Sequence, residues 1–256
     1  MIDIHAHVLP ALDDGPAHMG DAIALAKAAC QDNISTIVGT PHMCDGVYNA
    51  SRADIFAAVG ALNDALAEHG VPVSVLAGAD IHVDTELPGY LRRGELVTVA
   101  DRGKHLMIEL PTDVVPGELD QLVFALQLQG VNVIVSHPER NRMIQEDPTV
   151  LIPMAQSGCL MQVTAASILG DFGSHAQESA KALFDCRLVH FVATDMHGLR
   201  RRTPKLSQAV PMVEELVGAE LAHEILEENP EALIEGRYID PPEPTPPPPR
   251  RKWFFW

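Results

Sequence analysis

Short apolar runs rich in β-branched residues alternate with stretches of helical period from the first residue to about residue 217. Seven runs read as strands: Met1–Ile4, Thr36–Gly39, Val73–Ala77, Leu106–Leu110, Val131–Val135, Leu160–Val163 and Val189–Ala193. Most are apolar at every position, the pattern of parallel strands covered on both faces. Between them, Ile55, Val59, Leu62 and Leu66 form one helical stripe. Ser51 supplies its N-cap, Asp54 completes a capping-box pattern and Gly70 ends it. Leu119, Leu122, Val123 and Leu126 form another stripe, ended by Gly130. Strand–helix alternation with no antiparallel signature predicts an α/β barrel rather than an open sheet.

From Asp240 the pattern stops. The segment PPEPTPPPPRRKWFFW has no core periodicity, and its prolines predict an extended spacer held off the barrel. Both tryptophans lie in its last four residues. The chain therefore divides into residues 1–239, one catalytic-sized domain, and residues 240–256, a Pro-rich tail with a basic-aromatic tip. Such a tip suits peripheral contact with a membrane surface or a groove on a partner.

Composition narrows the partners. Acidic residues outnumber basic ones, 35 to 18, for a formal charge of −17. That balance argues against nucleic acid, whose phosphates need a basic surface. No apolar run reaches the length of a membrane span, and no basic-then-apolar leader opens the chain. Cys30, Cys44, Cys159 and Cys186 are scattered without a CxxC pair, as expected for reduced thiols in the cytoplasm.

The candidate chemistry is positional. In a strand, residues two apart share a face, so His5 and His7 of DIHAH project together. Other strands also end in ligand types: His42 in VGTPH, Asp80 in AGADI, Glu109 in MIELP, His137 in VIVSHPER, and Asp195 with His197 in FVATDMH. A barrel delivers all these ends to one mouth. His82 is ambiguous, being next to Asp80. His18, His69, His105, His175, His190 and His223 lack this placement and read as ordinary structural or surface residues. Mixed imidazole and carboxylate ligands suit Zn, Mn or Fe, and so many of them imply two or three ions sharing a bridge. Multinuclear sites of this kind serve phosphoester hydrolysis. Arg140 in SHPER, and one or more of Arg200, Arg201 and Arg202, would supply the fork-shaped donors that a phosphate dianion needs.

In this order DIHAH, DDGP, TPH, GADI, IEL, SHPER and TDMH resemble the polymerase-and-histidinol-phosphatase (PHP) superfamily. They are most similar to its bacterial manganese-dependent protein-tyrosine phosphatases of the capsular and exopolysaccharide type. The similarity runs from Met1 to about Val217. It implies a distorted (β/α)7 TIM-like barrel with up to three Mn2+ ions. One ion would take His5, His7, Asp80 and Asp195; a second Asp80, Glu109 and His137; a third Asp14, His42 and His197. Arg140, Arg202 and His42 are the residues expected to act at the substrate. The resemblance further implies a phosphotyrosyl protein as substrate, the tyrosine-rich end of a bacterial autophosphorylating kinase that controls polysaccharide export, met at the inner face of the membrane. One position departs from the family pattern: GxEI is GADI here, so Asp80 stands where a glutamate bridges. The choice between Asp13 and Asp14 stays open.

Rival readings are a small-molecule phosphatase of the histidinol-phosphatase kind, an amidohydrolase, and a degenerate metal-binding interaction module. A cysteine-dependent phosphatase is excluded. That chemistry needs C-x5-R, and the residues six beyond the four cysteines are Thr36, Ala50, Ala165 and Val192.

Overall fold

The computed structural model describes residues 1–44, 46–48 and 50–246. Its strand segments are β1 (Ile2–Ala6), β2 (Thr36–Gly39), β3 (His42–Met43), β4 (Ser74–Ala77), β5 (Asp80–His82), β6 (His105–Glu109), β7 (Asn132–Ser136), β8 (Leu160–Thr164) and β9 (Phe191–Ala193). All pairings are parallel and run β1–β2–β4 and β3–β5–β6–β7–β8–β9. Thr40-Pro41 separates β2 from β3, and Gly78-Ala79 separates β4 from β5, so these nine segments make seven staves. Pro41 has no N–H for a ladder. A Cβ on Gly78 would lie 2.6 Å from Val38 Cγ1, so the broken staves can pack only over glycine.

The ring closes between β1 and β9. The Asp195 N–H donates to the His5 carbonyl at 2.8 Å, and the His7 N–H to the Met196 carbonyl at 2.9 Å. Below them the buried Asp3 carboxylate accepts the Thr194 N–H at 3.0 Å and the Thr194 hydroxyl. The fold is thus a distorted (β/α)7 barrel, and its seam passes through residues of the candidate site.

The outer helices are α1 (Met19–Gln31), α2 (Arg52–Glu68), α3 (Leu87–Arg92), α4 (Leu119–Gln127), α5 (Arg142–Glu146), α6 (Ile152–Gln156), α7 (Ala165–Leu169), α8 (Ser174–Asp185), α9 (Leu206–Val217), α10 (Ala219–His223) and α11 (Asn229–Glu235). The capping box at α2 is formed: the Asp54 N–H donates to Ser51 Oγ at 3.2 Å and the Ser51 N–H to Asp54 Oδ2 at 2.9 Å. Ile55, Leu62 and Leu66 are its buried stripe. In α4 the buried residues are Leu119, Leu122, Val123 and Leu126.

A separate inner core fills the lower barrel. Ile4, Val38, Met107, Ile134, Leu160, Phe191 and Ala193 project inward, and Ala232 and Leu233 of α11 close the bottom. Two residues further along the same inner faces the pattern turns polar, at Glu109, Ser136, Gln162 and Asp195. β1 reaches the same result by a register shift between Asp3 and Ala6. That irregularity lets His5 face inward directly after the inward-facing Ile4, as a bulge does when it re-aims a side chain.

His105 and His190 are buried, and burial pushes both down to about 4, so they are neutral structural imidazoles. His190 Nδ1 accepts the Met161 N–H at 2.9 Å. The start of the tail differs from expectation. Of residues 241–246 only Glu243 and Thr245 have a backbone donor, and the Thr245 N–H bonds the Cys186 carbonyl at 2.9 Å, so this part lies against the barrel. The tip, from Arg250 to Trp256, lies outside the described residues. No helix among the described residues is long and apolar enough to cross a membrane.

Candidate metal centre

The C-terminal ends of the staves bring His5, His7, Asp14, His42, Asp80, Glu109, His137, Asp195 and His197 to one mouth. Asp80 sits in the middle. Its Oδ2 lies 3.6 Å from His5 Nε2, 3.6 Å from His137 Nε2 and 3.8 Å from His42 Nδ1. Glu109 approaches beside it, with Oε1 3.6 Å from His137 Nε2 and Oε2 3.5 Å from His42 Nδ1. Asp195 Oδ1 lies 3.4 Å from His5 Nε2 and 3.5 Å from His7 Nε2. Asp14 Oδ1 is 3.1 Å from His197 Nε2 and 3.7 Å from His42 Nε2.

Neighbouring groups fix these side chains. His5 Nδ1 meets Gln162 Oε1 at 2.7 Å, and His7 Nδ1 meets Asp13 Oδ2 at 2.6 Å. Asp13 also accepts the His42 N–H at 3.2 Å and the Gly15 N–H at 2.9 Å. Of the DDGP pair, then, Asp14 faces the cluster and Asp13 orients its histidines. Ser136 Oγ donates to Asp80 Oδ1 at 2.8 Å, leaving Oδ2 for the cluster. Glu139, fully buried, accepts the Thr164 N–H at 3.0 Å and Ser167 Oγ at 2.6 Å, which pins the turn between His137 and Arg140. Reading strand ends for ligands missed Gln162, Ser136 and Glu139. Their signal is weaker: a polar residue in a strand otherwise apolar on its inner face, and an acid inside SHPER.

Backbone strain gathers here too. His137, Asp195 and Arg202 hold φ of 31°, 51° and 51°, in the left-handed region where side chains are disfavoured. The His197 N–H donates to the Arg202 carbonyl at 2.8 Å, folding the loop so that Arg202 turns inward while Arg200 and Arg201 stay exposed. Arg140 Nη1 reaches Asp195 Oδ2 at 2.7 Å, and Arg202 Nη2 shares that oxygen.

The charge states are those of a ligand set. Burial penalises the charge on Asp80, but His5, His137 and His42 outweigh it and hold the carboxyl well below the usual range. Asp195 behaves likewise: burial is outweighed by His5, Arg202, His137 and His7. Burial brings His7 and His137 down to about 4, so both present neutral imidazole at neutral pH. Glu109 differs: burial, and then the neighbouring Asp80, push it up to about 7, so metal loading competes with a proton there.

Three overlapping groups, His7–Asp14–His42–His197, His5–His7–Asp80 and His42–Asp80–Glu109, keep their ligand atoms within 4.8 Å of one another. His137 and Asp195 border them at the distances above. Asp80 Oδ2, Asp195 Oδ1 and His42 Nδ1 are buried and have no hydrogen-bond partner. Leaving such atoms unpaired is costly, and divalent cations are the partners that fit this donor chemistry. His82 pairs in register with Glu109 but joins none of these groups.

A family model described as capsular polysaccharide synthesis, CpsB/CapC, matches residues 1–235. The chain belongs to this family. Within the CpsB/CapC family it is 38% identical to tyrosine-protein phosphatase YwqE of Bacillus subtilis (strain 168) over 256 residues, covering 99% of each chain. It is 31% identical over 208 residues to the putative tyrosine-protein phosphatase CapC of Staphylococcus aureus, covering 81% of each. Its fold matches a crystal structure from work on YwqE of B. subtilis and CpsB of Streptococcus pneumoniae, described as unique metal-dependent tyrosine phosphatases. The TM-score is 0.92 at 36% identity, over 96% of this chain and 99% of that one.

Asp80 has no spare volume around it. The residue is fully buried, with one oxygen on Ser136 and the other amid three imidazoles. An added methylene there overpacks the site, at a typical cost of about 1–3 kcal/mol. Asp80→Glu is therefore expected to weaken metal binding and slow turnover. Metal titration of purified variant and parent checks this; equal or tighter binding by the glutamate would show the site has room to spare.

Proposed function

We infer that this chain hydrolyses phosphotyrosine on proteins with divalent metal, Mn2+ by preference and Zn2+ or Fe as alternatives. The observation that supports it most is the convergence of nine ligand-type side chains with Arg140 and Arg202 beside them. His5, His7, Asp80 and Asp195 would hold one ion, Asp80, Glu109 and His137 a second, and Asp14, His42 and His197 a third. Metal bound there supplies Lewis acidity, making hydroxide available near neutral pH and withdrawing charge from phosphoryl oxygens.

The chain's own residues do the rest. Arg140 and Arg202 would leave Asp195 Oδ2 for the phosphoryl oxygens, holding them as charge shifts in the transition state. Gln162, Asp13 and Ser136 keep the ligands aimed inward. The leaving phenolate has a pKa of about 10, so it departs with less proton donation than an alkoxide. The partner fitting this chemistry is the tyrosine-rich end of a bacterial autophosphorylating kinase in polysaccharide export. Residues 1–239 would be the catalytic domain. The tip beyond residue 246 would bring it to the inner membrane face or to a partner.

Stripping metal with a chelator should take phosphotyrosyl-peptide hydrolysis to background, and added Mn2+ should restore it. Histidinol phosphate is the comparison substrate. Faster turnover of histidinol phosphate would favour a small-molecule phosphatase, and metal binding without turnover of either would leave a degenerate binding module.

A further inference from the structure

We propose that Tyr48 and Phe172 are specificity-determining residues that select aryl over alkyl phosphomonoesters, a proposal that rests on the phosphatase reading above. Tyr48 follows β3, in the second stave, and Phe172 follows α7, after the sixth. In a ring of seven staves these loops enter the mouth from different sides. Each aromatic is half-buried with one face against a residue of the site. The Tyr48 ring stacks on His42, with centroids 5.8 Å apart and planes 15° apart. The Phe172 ring lies over Arg140, whose Cζ is 5.0 Å from its centroid.

The substrate's polarity sets its orientation. Phosphoryl oxygens go inward to the metal ligands and the two guanidiniums, so the ester carbon must point out past His42 and Arg140. The first part of the leaving group therefore passes Tyr48 and Phe172. The rim beyond is apolar: Val47, Val114 and Leu199 are exposed on the loops after β3, β6 and β9, and Met143 on α5, which follows β7. They are half of the exposed large hydrophobic residues among the described residues, gathered on one edge of the barrel. An aromatic ring gains stacking there, whereas a hydroxylated alkyl group loses water without gaining a partner.

The test uses the manganese-loaded full chain, with Tyr48→Leu and Phe172→Leu singly and together. Phenyl phosphate and glycerol 2-phosphate give an aryl-to-alkyl ratio of kcat/KM; phenylphosphonate and methylphosphonate give the same ratio for binding alone. Each substitution should lower both ratios about two- to tenfold. The double variant should multiply the single effects, because the two rings stand on loops of different staves and rest on different residues of the site. Unchanged ratios overturn the proposal. So does an equal loss on both esters, which would mean Phe172 serves only to position Arg140. If the parent hydrolyses neither ester nor a phosphotyrosyl peptide, the phosphatase reading falls, while the phosphonate ratio still judges the aromatic wall.

Discussion

His137→Ala and Asp195→Ala should each lower kcat for phosphotyrosyl peptide by about 10³-fold or more, in chains that remain folded. Charge stabilisation by bound metal is worth several kcal/mol, and about 1.4 kcal/mol corresponds to tenfold in rate. His137 touches Asp80 and Glu109, so its loss opens the bridge region. Asp195 does more. It faces His5 and His7 with one oxygen and receives both arginines on the other. Removing it leaves two half-buried guanidiniums without their counter-charge, so Asp195→Asn is the companion variant that keeps the volume. Circular dichroism and metal stoichiometry accompany the kinetics. Near-normal turnover with the full metal complement in either variant would remove these residues from the ligand set.

Much of this site was legible because one period governs both core and chemistry. Inner-face positions two apart run Met107 to Glu109, Ile134 to Ser136, Leu160 to Gln162 and Ala193 to Asp195. Apolar runs marked the staves, and the first polar residue at each C-terminal end marked the mouth. Two things were not legible. The break of the second and third staves at Thr40-Pro41 and Gly78-Ala79 is a packing event, set by the close approach of Gly78 to Val38 across neighbouring strands. The separate duties of Asp13 and Asp14 depend on a loop whose adjacent acids point different ways, and no spacing rule encodes that. The same holds for the start of the tail. Its prolines predicted separation from the barrel, yet Thr245 among them retains an N–H and finds the Cys186 carbonyl.

Arg140→Ala and Arg202→Ala should each lower kcat/KM about 30- to 1000-fold while metal content stays the same. The two guanidiniums converge on Asp195 Oδ2, although they arrive from loops on different staves. Two cations on one carboxylate oxygen leave most of their donors unused. A phosphoryl group has three oxygens to offer those forks, and removing one charge-assisted hydrogen bond from a largely dry site costs roughly 2–4 kcal/mol. Neither arginine is a metal ligand, so the rate should fall without any fall in bound metal. Lysine at either position restores charge but not the planar fork and should recover only part of the rate. Arg201 is exposed and provides the control for register. If Arg201→Ala costs more than Arg202→Ala, the left-handed turn at Arg202 is not what aims the phosphate-binding side chain. If both alanine variants lose metal along with activity, the arginines hold Asp195 in place for its ligand role, and the phosphate must be gripped by other groups.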